Sequence, residues 1–382
     1  MRILYLHQYY RTPHMGGGLR SWHLARHLAA QGHQVKMITA WNGSTKRVEH
    51  EGNLEVVWLP IQYENRFSKA ARITAFRRFV WLAYREATKK LPADIVFATS
   101  TPLTIGLVAL ALKWRHRVPY VFEVRDLWPQ APIELGAVTS PIKIRLLKML
   151  EQLLYRTAHR IVALSPGMVD GIGSQFAHKT HLIPNFADTI HHTPAAEVPA
   201  GPTHIVYTGT FGHANNIPGL VDFIVYCQVH YPSQYRFTLS GEGSLWQHVA
   251  NEKQRLSLDN LTLLPLGSRA QVAALLQTAH FAWVGFGPQP VLQTNSPNKF
   301  FDALAAGVPI LLNMQGWLAN IVEEHKIGIC HQNDCGQTLT KLEAARPQWP
   351  QWKQNARQLA EEQFSKHTAL KNIQDIIESL DN

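Results

Sequence analysis

A chain of 382 residues, 46% apolar and 17% charged, has the composition of a folded protein with room for two domains, which excludes disorder. Three cysteines, Cys227, Cys330 and Cys335, with no CxxC pair, exclude a disulfide framework, a cysteine zinc site and a dithiol redox motif, and fit a reducing compartment. The net charge of +10 is uneven: residues 1–190 hold 25 basic against 12 acidic residues, the remainder 12 against 15. No zinc-finger, RRM or helix-turn-helix signature accompanies the basic half, so an anionic membrane surface or a phosphate-bearing acceptor is expected and nucleic acid is not.

The opening MRILYLHQYY runs directly into a strand, Ile3–Leu6, with no signal-peptide pattern. The longest uncharged apolar run, Thr101–Leu112, falls short of the ~20 residues that span a bilayer. These features predict a cytoplasmic protein. A long loop, His7–Gly18, precedes a helix at Leu19–Gln31 and a strand at Gln34–Thr39, a unit suited to a parallel sheet. Gly16–Gly17–Gly18 stands at the helix entrance, either as a flexible turn or as a backbone cradle for a phosphate. It is no dinucleotide fingerprint: the loop is too long, and the second strand ends Thr39–Ala40–Trp41 without an acid for a ribose.

After a strand at Glu55–Pro60, the segment Arg66–Leu91 interleaves Arg66, Lys69, Arg72, Arg77, Arg78, Arg85, Lys89 and Lys90 with large apolar residues. It predicts a cationic amphipathic helix, either packed on the core by one side or resting on anionic lipid. Strand Asp94–Thr99, helix Pro102–Arg115 and strand Pro119–Val124 follow. Just past that strand lie Arg125, Asp126 and Trp128, at the sheet edge where open α/β folds bind ligands; a salt-bridged, Asp-capped turn is the plainer reading. A second basic amphipathic helix, Pro141–Thr157, carries Lys143, Arg145 and Lys148. Strand Arg160–Leu164, a helix from Pro166 and strand Thr180–Pro184 complete a first domain, residues 1–190.

The aperiodic stretch Asp188–Pro202 predicts a linker, taken as residues 191–202. The second domain, residues 203–365, opens with strand His204–Thr208, the loop Gly209–Thr210–Phe211–Gly212–His213–Ala214–Asn215–Asn216 and helix Ile217–Gln228. Strand Arg236–Ser240 leads into Gly241–Glu242–Gly243–Ser244, followed by strand Leu261–Pro265 and helix Ala270–Thr278. Phe281–Leu312 then reads as strand, polar loop, helix and buried strand, with Ser296 as N-cap candidate and Pro297 at the first helical position. Two C-terminal helices end the chain, the last at about Thr368–Leu380 within residues 366–382. Lys299 and Asp302 share one face near the start of the late helix. A helix N-terminus with a lysine suits a diphosphate, and a carboxylate one turn on suits vicinal hydroxyls; a routine surface ion pair is the alternative.

The run Ser296–Pro297–Asn298–Lys299–Phe300–Phe301–Asp302–Ala303–Leu304–Ala305–Ala306–Gly307–Val308–Pro309–Ile310 resembles the donor-binding helix of retaining GT-B glycosyltransferases of family four, above all the group 1 enzymes that build bacterial surface polysaccharides such as lipopolysaccharide and capsule. The resemblance implies an α/β, GT-B fold: two Rossmann-like doubly wound domains facing across a cleft, with the last helix packing back on the first domain. Family members carry two acids eight positions apart; Asp302 matches the second, which binds the ribose, whereas the first position is Thr294. By the same resemblance Gly17, Gly18, Gly209, Thr210, Gly241, Glu242, Asn298, Lys299 and Asp302 bind the donor, and Arg20, Arg125 and Trp128 stand on the acceptor side. Asp126 and Lys299 are the expected catalytic residues, Asp126 as base or acceptor-positioning group and Lys299 on the diphosphate.

The implied reaction moves a hexosyl or N-acetylhexosaminyl group from a UDP-sugar to a lipid-linked or saccharide acceptor at the inner membrane face, with retention of configuration. No Asp-x-Asp occurs in the chain, so no metal or other cofactor is expected. A UDP-sugar epimerase, or a non-catalytic scaffold or nucleotide-sugar-binding protein, would use the same fold. Thr294 and the absence of Arg and Lys from the Gly209 loop favour the scaffold.

Overall fold

The computed structural model describes residues 1–63, 67–89, 93–197 and 200–380. The chain divides into two units, one of Met1–Thr12, Gly18–Pro184 and Ala369–Asn382, the other of Pro13–Gly17 and Asn185–Thr368.

The strands of the first unit are β1 (Arg2–Leu6), β2 (Gln34–Trp41), β3 (Arg47–Glu51), β4 (Leu54–Pro60), β5 (Ile95–Thr99), β6 (Tyr120–Val124), β7 (Arg160–Ala163) and β8 (Thr180–Leu182). They form one sheet in the order β3-β4-β2-β1-β5-β6-β7-β8, parallel except for β3, which is antiparallel to β4. The central strands β5 and β6 are buried along their whole length, as an apolar run covered by helices on both faces requires. The helices are α1 (Arg20–Ala30), α2 (Lys69–Ala87), α3 (Ile105–His116), α4 (Gln130–Glu134), α5 (Pro141–Thr157) and α6 (Pro166–Ile172). The basic helix α5 has the bounds expected of it.

Four local departures have physical causes. The β3–β4 hairpin turns on Gly52–Asn53, a turn pair hidden by the charged, exposed sequence of β3. Helix α3 begins three residues after Pro102, whose carbonyl accepts the Ile105 amide in a preceding turn. Helix α2 starts after Ser68, whose hydroxyl accepts the Ala71 amide at 3.3 Å; Arg66, Lys90 and Leu91 lie outside the described residues. The short helix α4 follows the Trp128 loop unannounced, because its five residues show no period.

The second unit holds β9 (Thr203–Thr210), β10 (Tyr235–Glu242), β11 (Leu261–Leu264), β12 (Phe281–Gly285), β13 (Ile310–Asn313) and β14 (Gly328–Cys330), all parallel, in the order β11-β10-β9-β12-β13-β14. Its helices are α7 (Ile217–His230), α8 (Trp246–Arg255), α9 (Arg269–Gln277), α10 (Asn298–Ala305), α11 (Trp317–Glu324), α12 (Cys335–Ala344), α13 (Trp349–Glu362) and α14 (Lys366–Glu378). One face of the sheet packs Val206, Ala282 and Leu312 against α10 and α13 through Phe300, Phe301 and Leu359. The other packs Ile205, Trp283 and Leu311 against α7 and α12 through Phe223 and Leu339. Four helices and a strand follow β13 where two helices were expected, because α11 and β14 are short and the caps of α12 and α13 fall in polar sequence. From Ala369 onward α14 belongs to the first unit, where Gln374 meets His27 at 2.8 Å and Glu378 meets His33 at 3.1 Å.

In each sheet the chain builds outward from a central strand, first one way and then the other. The direction reverses between β1 and β5 and again between β9 and β12. Open α/β sheets bind ligands at the carboxyl ends of the strands flanking such a reversal.

Candidate active site

At the reversal of the second sheet stands Lys299, in the first turn of α10. Its Nζ donates to the Tyr207 hydroxyl at 3.1 Å and to Asn215 Oδ1 at 3.0 Å. It also lies 4.2 Å from the Tyr207 ring centre and 5.6 Å from that of Phe286. No carboxylate is paired with it among the described residues, and burial brings its ammonium down to about 7. Its neighbours are thus aromatic and neutral polar groups, an arrangement that leaves its charge able to pair with an anion.

The backbone leaves room for that lysine. Gly209 has φ +143°, and a Cβ there would stand 3.3 Å from Lys299 Cε and Nζ. Gly241, its partner across β9 and β10, would place a Cβ 1.7 Å from the Gly209 carbonyl oxygen. Thr210 is exposed at the end of β9, its carbonyl accepting the Tyr207 hydroxyl at 2.6 Å, and Glu242 is exposed at the end of β10.

Ser296 does not cap α10. Pro297 is the N-cap residue and the helix begins at Asn298, while Ser296 Oγ accepts the Asn185 amide at 3.2 Å and its carbonyl accepts Asn185 Nδ2. With Phe300 N–H bonded to the Pro297 carbonyl, the amides of Asn298 and Lys299 open the helix without a partner inside it. The expected polar loop before it contains a 3-10 turn, Pro290–Thr294, where Thr294 Oγ1 donates to the Val291 carbonyl at 2.7 Å.

Asp302 sits one turn on, its side chain 18% exposed, with Oδ1 3.3 Å from His192 Nε2 and 3.7 Å from Arg269 Nη1. Burial drives its carboxyl up, but contact with His192 and the charge of Arg269 outweigh burial and hold it below the usual carboxylate range. The stretch read as linker begins as a strap bonded into the second unit. Asp188 is bound by Lys366 at 2.6 Å and Arg269 at 3.2 Å, and Arg357 donates to the Thr189 and His192 carbonyls at 3.2 and 2.9 Å. Val198 and Pro199 lie outside the described residues.

Residues 15–185 match the family model of the glycosyl transferase 4-like domain. No curated protein matches the sequence. Among solved structures, sucrose-phosphate synthase from Thermosynechococcus elongatus is 17% identical with a TM-score of 0.81, over 100% of this chain and 99% of that one. HepE of Anabaena, in complex with UDP and glucose, is 17% identical with a TM-score of 0.69 over 99% and 100%. The catalytic domain of starch synthase IV from Arabidopsis thaliana, bound to ADP and acarbose, is 11% identical with a TM-score of 0.70 over 100% and 99%.

The fold is GT-B.

In the first Rossmann-like unit of this GT-B chain, Thr101 follows β5, and Arg125, Asp126 and Trp128 follow β6. Asp126 is half-buried and accepts a hydrogen bond from Thr101 Oγ1 at 2.9 Å. Burial raises its carboxyl above the usual range, against the opposing effects of the Thr101 bond and the Arg125 charge. Arg125 and Trp128 are half-buried in the same loop, with the Arg125 amide bonded to Ser100 Oγ at 3.1 Å. Gly18 is half-buried; Gly17, which belongs with Pro13–Gly17 to the second unit, is exposed with φ +85°.

Arg20 is not presented to a ligand. It is 2% exposed and donates to Glu123 Oε1 at 2.8 Å and to the carbonyls of Pro184 and Ile183 at 2.6 and 3.0 Å. The acceptor-side expectation for Arg20 therefore gives way to a structural one, because a guanidinium entering α1 beside a buried glutamate is consumed by it. Nothing in the sequence marked Tyr207, Asn215, Phe286, His192 or Arg269 as neighbours of α10. Tyr207, Asn215 and His192 lie some 80 residues or more from it in the chain and Arg269 nearly 30, while Phe286 directly follows β12, the strand before it. His7 is buried at the end of β1 with Nδ1 2.8 Å from Ser21 Oγ, where the sequence predicts the start of a loop; burial and nearby Arg125 and Arg11 hold its imidazole well below its usual range.

Proposed function

We propose that the protein is a retaining, metal-independent glycosyltransferase that moves a hexosyl or N-acetylhexosaminyl group from a UDP-sugar to a lipid-linked or polysaccharide acceptor in cell-surface polysaccharide synthesis. The observation that carries this reading is Lys299, a half-buried cation with no carboxylate partner among the described residues, beside Gly209 at the strand ends of the second sheet. The UDP held by HepE supports uracil as the base, and the glycosyl transferase 4-like match over residues 15–185 supports the transfer. In the reaction the C1–O bond to the diphosphate breaks and a C1–O bond to the acceptor hydroxyl forms on the same face. The hydroxyl proton passes to the leaving phosphate oxygen. Lys299 and the α10 amides take up the charge that grows there, which is the role an enzyme of another fold gives to a metal. Asp126 orients the acceptor hydroxyl, and Asp302 accepts hydrogen bonds from the ribose diol.

The test is transfer from a panel of UDP-, GDP- and ADP-sugars to a membrane lipid extract, in EDTA, with the product anomer read by NMR. An α-linked donor should give an α-linked product at a rate indifferent to the chelator; inversion, or loss of rate in EDTA, would refute the corresponding part of the reading. Asp302→Asn should raise the Kd for UDP roughly tenfold to a hundredfold, the worth of hydrogen bonds to a charged group. Its kcat should change little, as measured by calorimetry and steady-state kinetics.

The membrane location rests on one helical layer of the first unit. Helix α3 packs between α2 and α5. The layer exposes Ile73 and Trp81 on α2, Trp114 on α3, and Ile142, Leu146 and Met149 on α5, the last three spaced as one stripe. Arg77, Arg85, Lys143, Arg145 and Lys148 are exposed among them. Apolar side chains that enter the acyl boundary beside cations that meet anionic headgroups describe an interfacial surface, and no described helix is long and apolar enough to cross a bilayer. Leu146→Glu with Met149→Glu should cut sedimentation with phosphatidylglycerol vesicles by roughly tenfold or more, since each charge near such a surface is worth about 1 kcal/mol. Transfer to a soluble acceptor analogue should be unchanged.

A further inference from the structure

His192 is a buried polar group of the second unit that packing alone does not explain. It is 1% exposed, and neither ring nitrogen makes a hydrogen bond among the described residues; Nε2 stands 3.3 Å from Asp302 Oδ1 as an ion-pair contact. An imidazole buried that way costs stability unless its position is used. Its backbone is fixed: the His192 amide donates to the Asp188 carbonyl at 2.9 Å, and its carbonyl accepts from Arg357 at 2.9 Å. The same Arg357 also donates to the carbonyl of Ala305, the last residue of α10. Asp188 is itself held by Lys366 and Arg269. The strap is thus tied to the end of the donor helix by one arginine and to its flank by an ion-pair network.

Both contacts on the Asp302 carboxylate, from His192 and from Arg269, fall on Oδ1. Fixing one oxygen sets the rotation of the carboxylate and commits the other to one direction. We propose that His192 is a positioning residue for nucleotide recognition: from the 188–192 strap it fixes Asp302 so that Oδ2 meets the 2′- and 3′-hydroxyls of the donor's ribose. The proposal rests on the donor site above and assigns that site a residue from outside the α10 segment.

A rigidly set acceptor gains most from a diol and nothing from a sugar lacking one, so the role is readable by ligand. Calorimetry would compare UDP with 2′,3′-dideoxy-UDP for the unaltered protein and for His192→Phe and His192→Gln. The unaltered protein should favour UDP by tenfold or more. His192→Phe should weaken UDP about tenfold and leave dideoxy-UDP unchanged, with KM for the donor rising and kcat within about twofold. His192→Gln, which keeps an N–H near Oδ1, should recover part of the preference. Equal weakening of both ligands by a variant whose melting temperature is normal, or no weakening of either, would overturn the positioning role. Failure of the unaltered protein to bind UDP at all would instead overturn the donor assignment beneath it.

Discussion

Lys299→Met is expected to reduce transfer by about 10²–10³-fold, the effect of losing one fixed group that stabilises a developing anion, while making the protein harder to unfold. Burial brings the Lys299 ammonium down to about 7, below its ordinary value near 10.5. Below pH 7 the lysine is charged in both folded and unfolded chains, and the fold bears the full cost of burying it. Between about pH 7 and 10.5 the unfolded chain binds more protons, so stability rises with pH and the cost fades. The methionine variant escapes that cost. Its melting temperature should exceed the parent's by a few degrees at pH 6–7, the size of a gain of about 1–2 kcal/mol in a unit of this length, and the difference should vanish toward pH 10. Donor binding has the opposite pH signature: a diphosphate restores the proton to Lys299, so UDP affinity should fall as pH rises above about 7. Calorimetry at pH 8 in buffers of different ionisation enthalpy should register proton uptake on binding. Binding without proton uptake, or a methionine variant that still transfers sugar, would remove Lys299 from the diphosphate.

The second large effect is one of stability alone. Arg20→Met leaves Glu123, 0% exposed, without the guanidinium that faces it, and strips two carbonyls after β8 of their donor. Breaking one side of a buried pair costs about 3–5 kcal/mol, so the first unit should melt far below the second in calorimetry. The double variant Arg20→Met with Glu123→Gln should recover much of the loss, since the stranded charge is the larger part of it. Had Arg20 contacted the acceptor, the single variant would keep its melting temperature and lose acceptor affinity.

The contrast between these two cations explains what was legible in the sequence. Lys299 was readable because helix, strand and turn signals around it are local, and a lysine in a first turn beside strand ends suggests an anion without further help. Arg20 has an equally suggestive place after a glycine loop, but its partner Glu123 is 103 residues away and no periodicity announces it. The alternation of strands and helices was legible for the same local reason, and failed where elements were short or charged, as at β3 and β14. Asp302 was legible as a carboxylate but not as one already held: His192 sits in a stretch whose lack of period hid its packing. Residues set by chain crossings cannot be read from spacing, and Tyr207 and Asn215 beside Lys299 are of that kind.

The placement of α14 has a consequence for synthesis on the ribosome. Its residues from Ala369 onward complete the first unit, filling the flank of α1 through His27 and His33. That unit therefore stays unfinished while some 180 intervening residues are translated, and the stretch Asn185–Thr368 has most of what it needs before its predecessor does. Nascent chains stalled short of residue 369 should hold the amino-terminal sheet in a protease-sensitive, chaperone-dependent form.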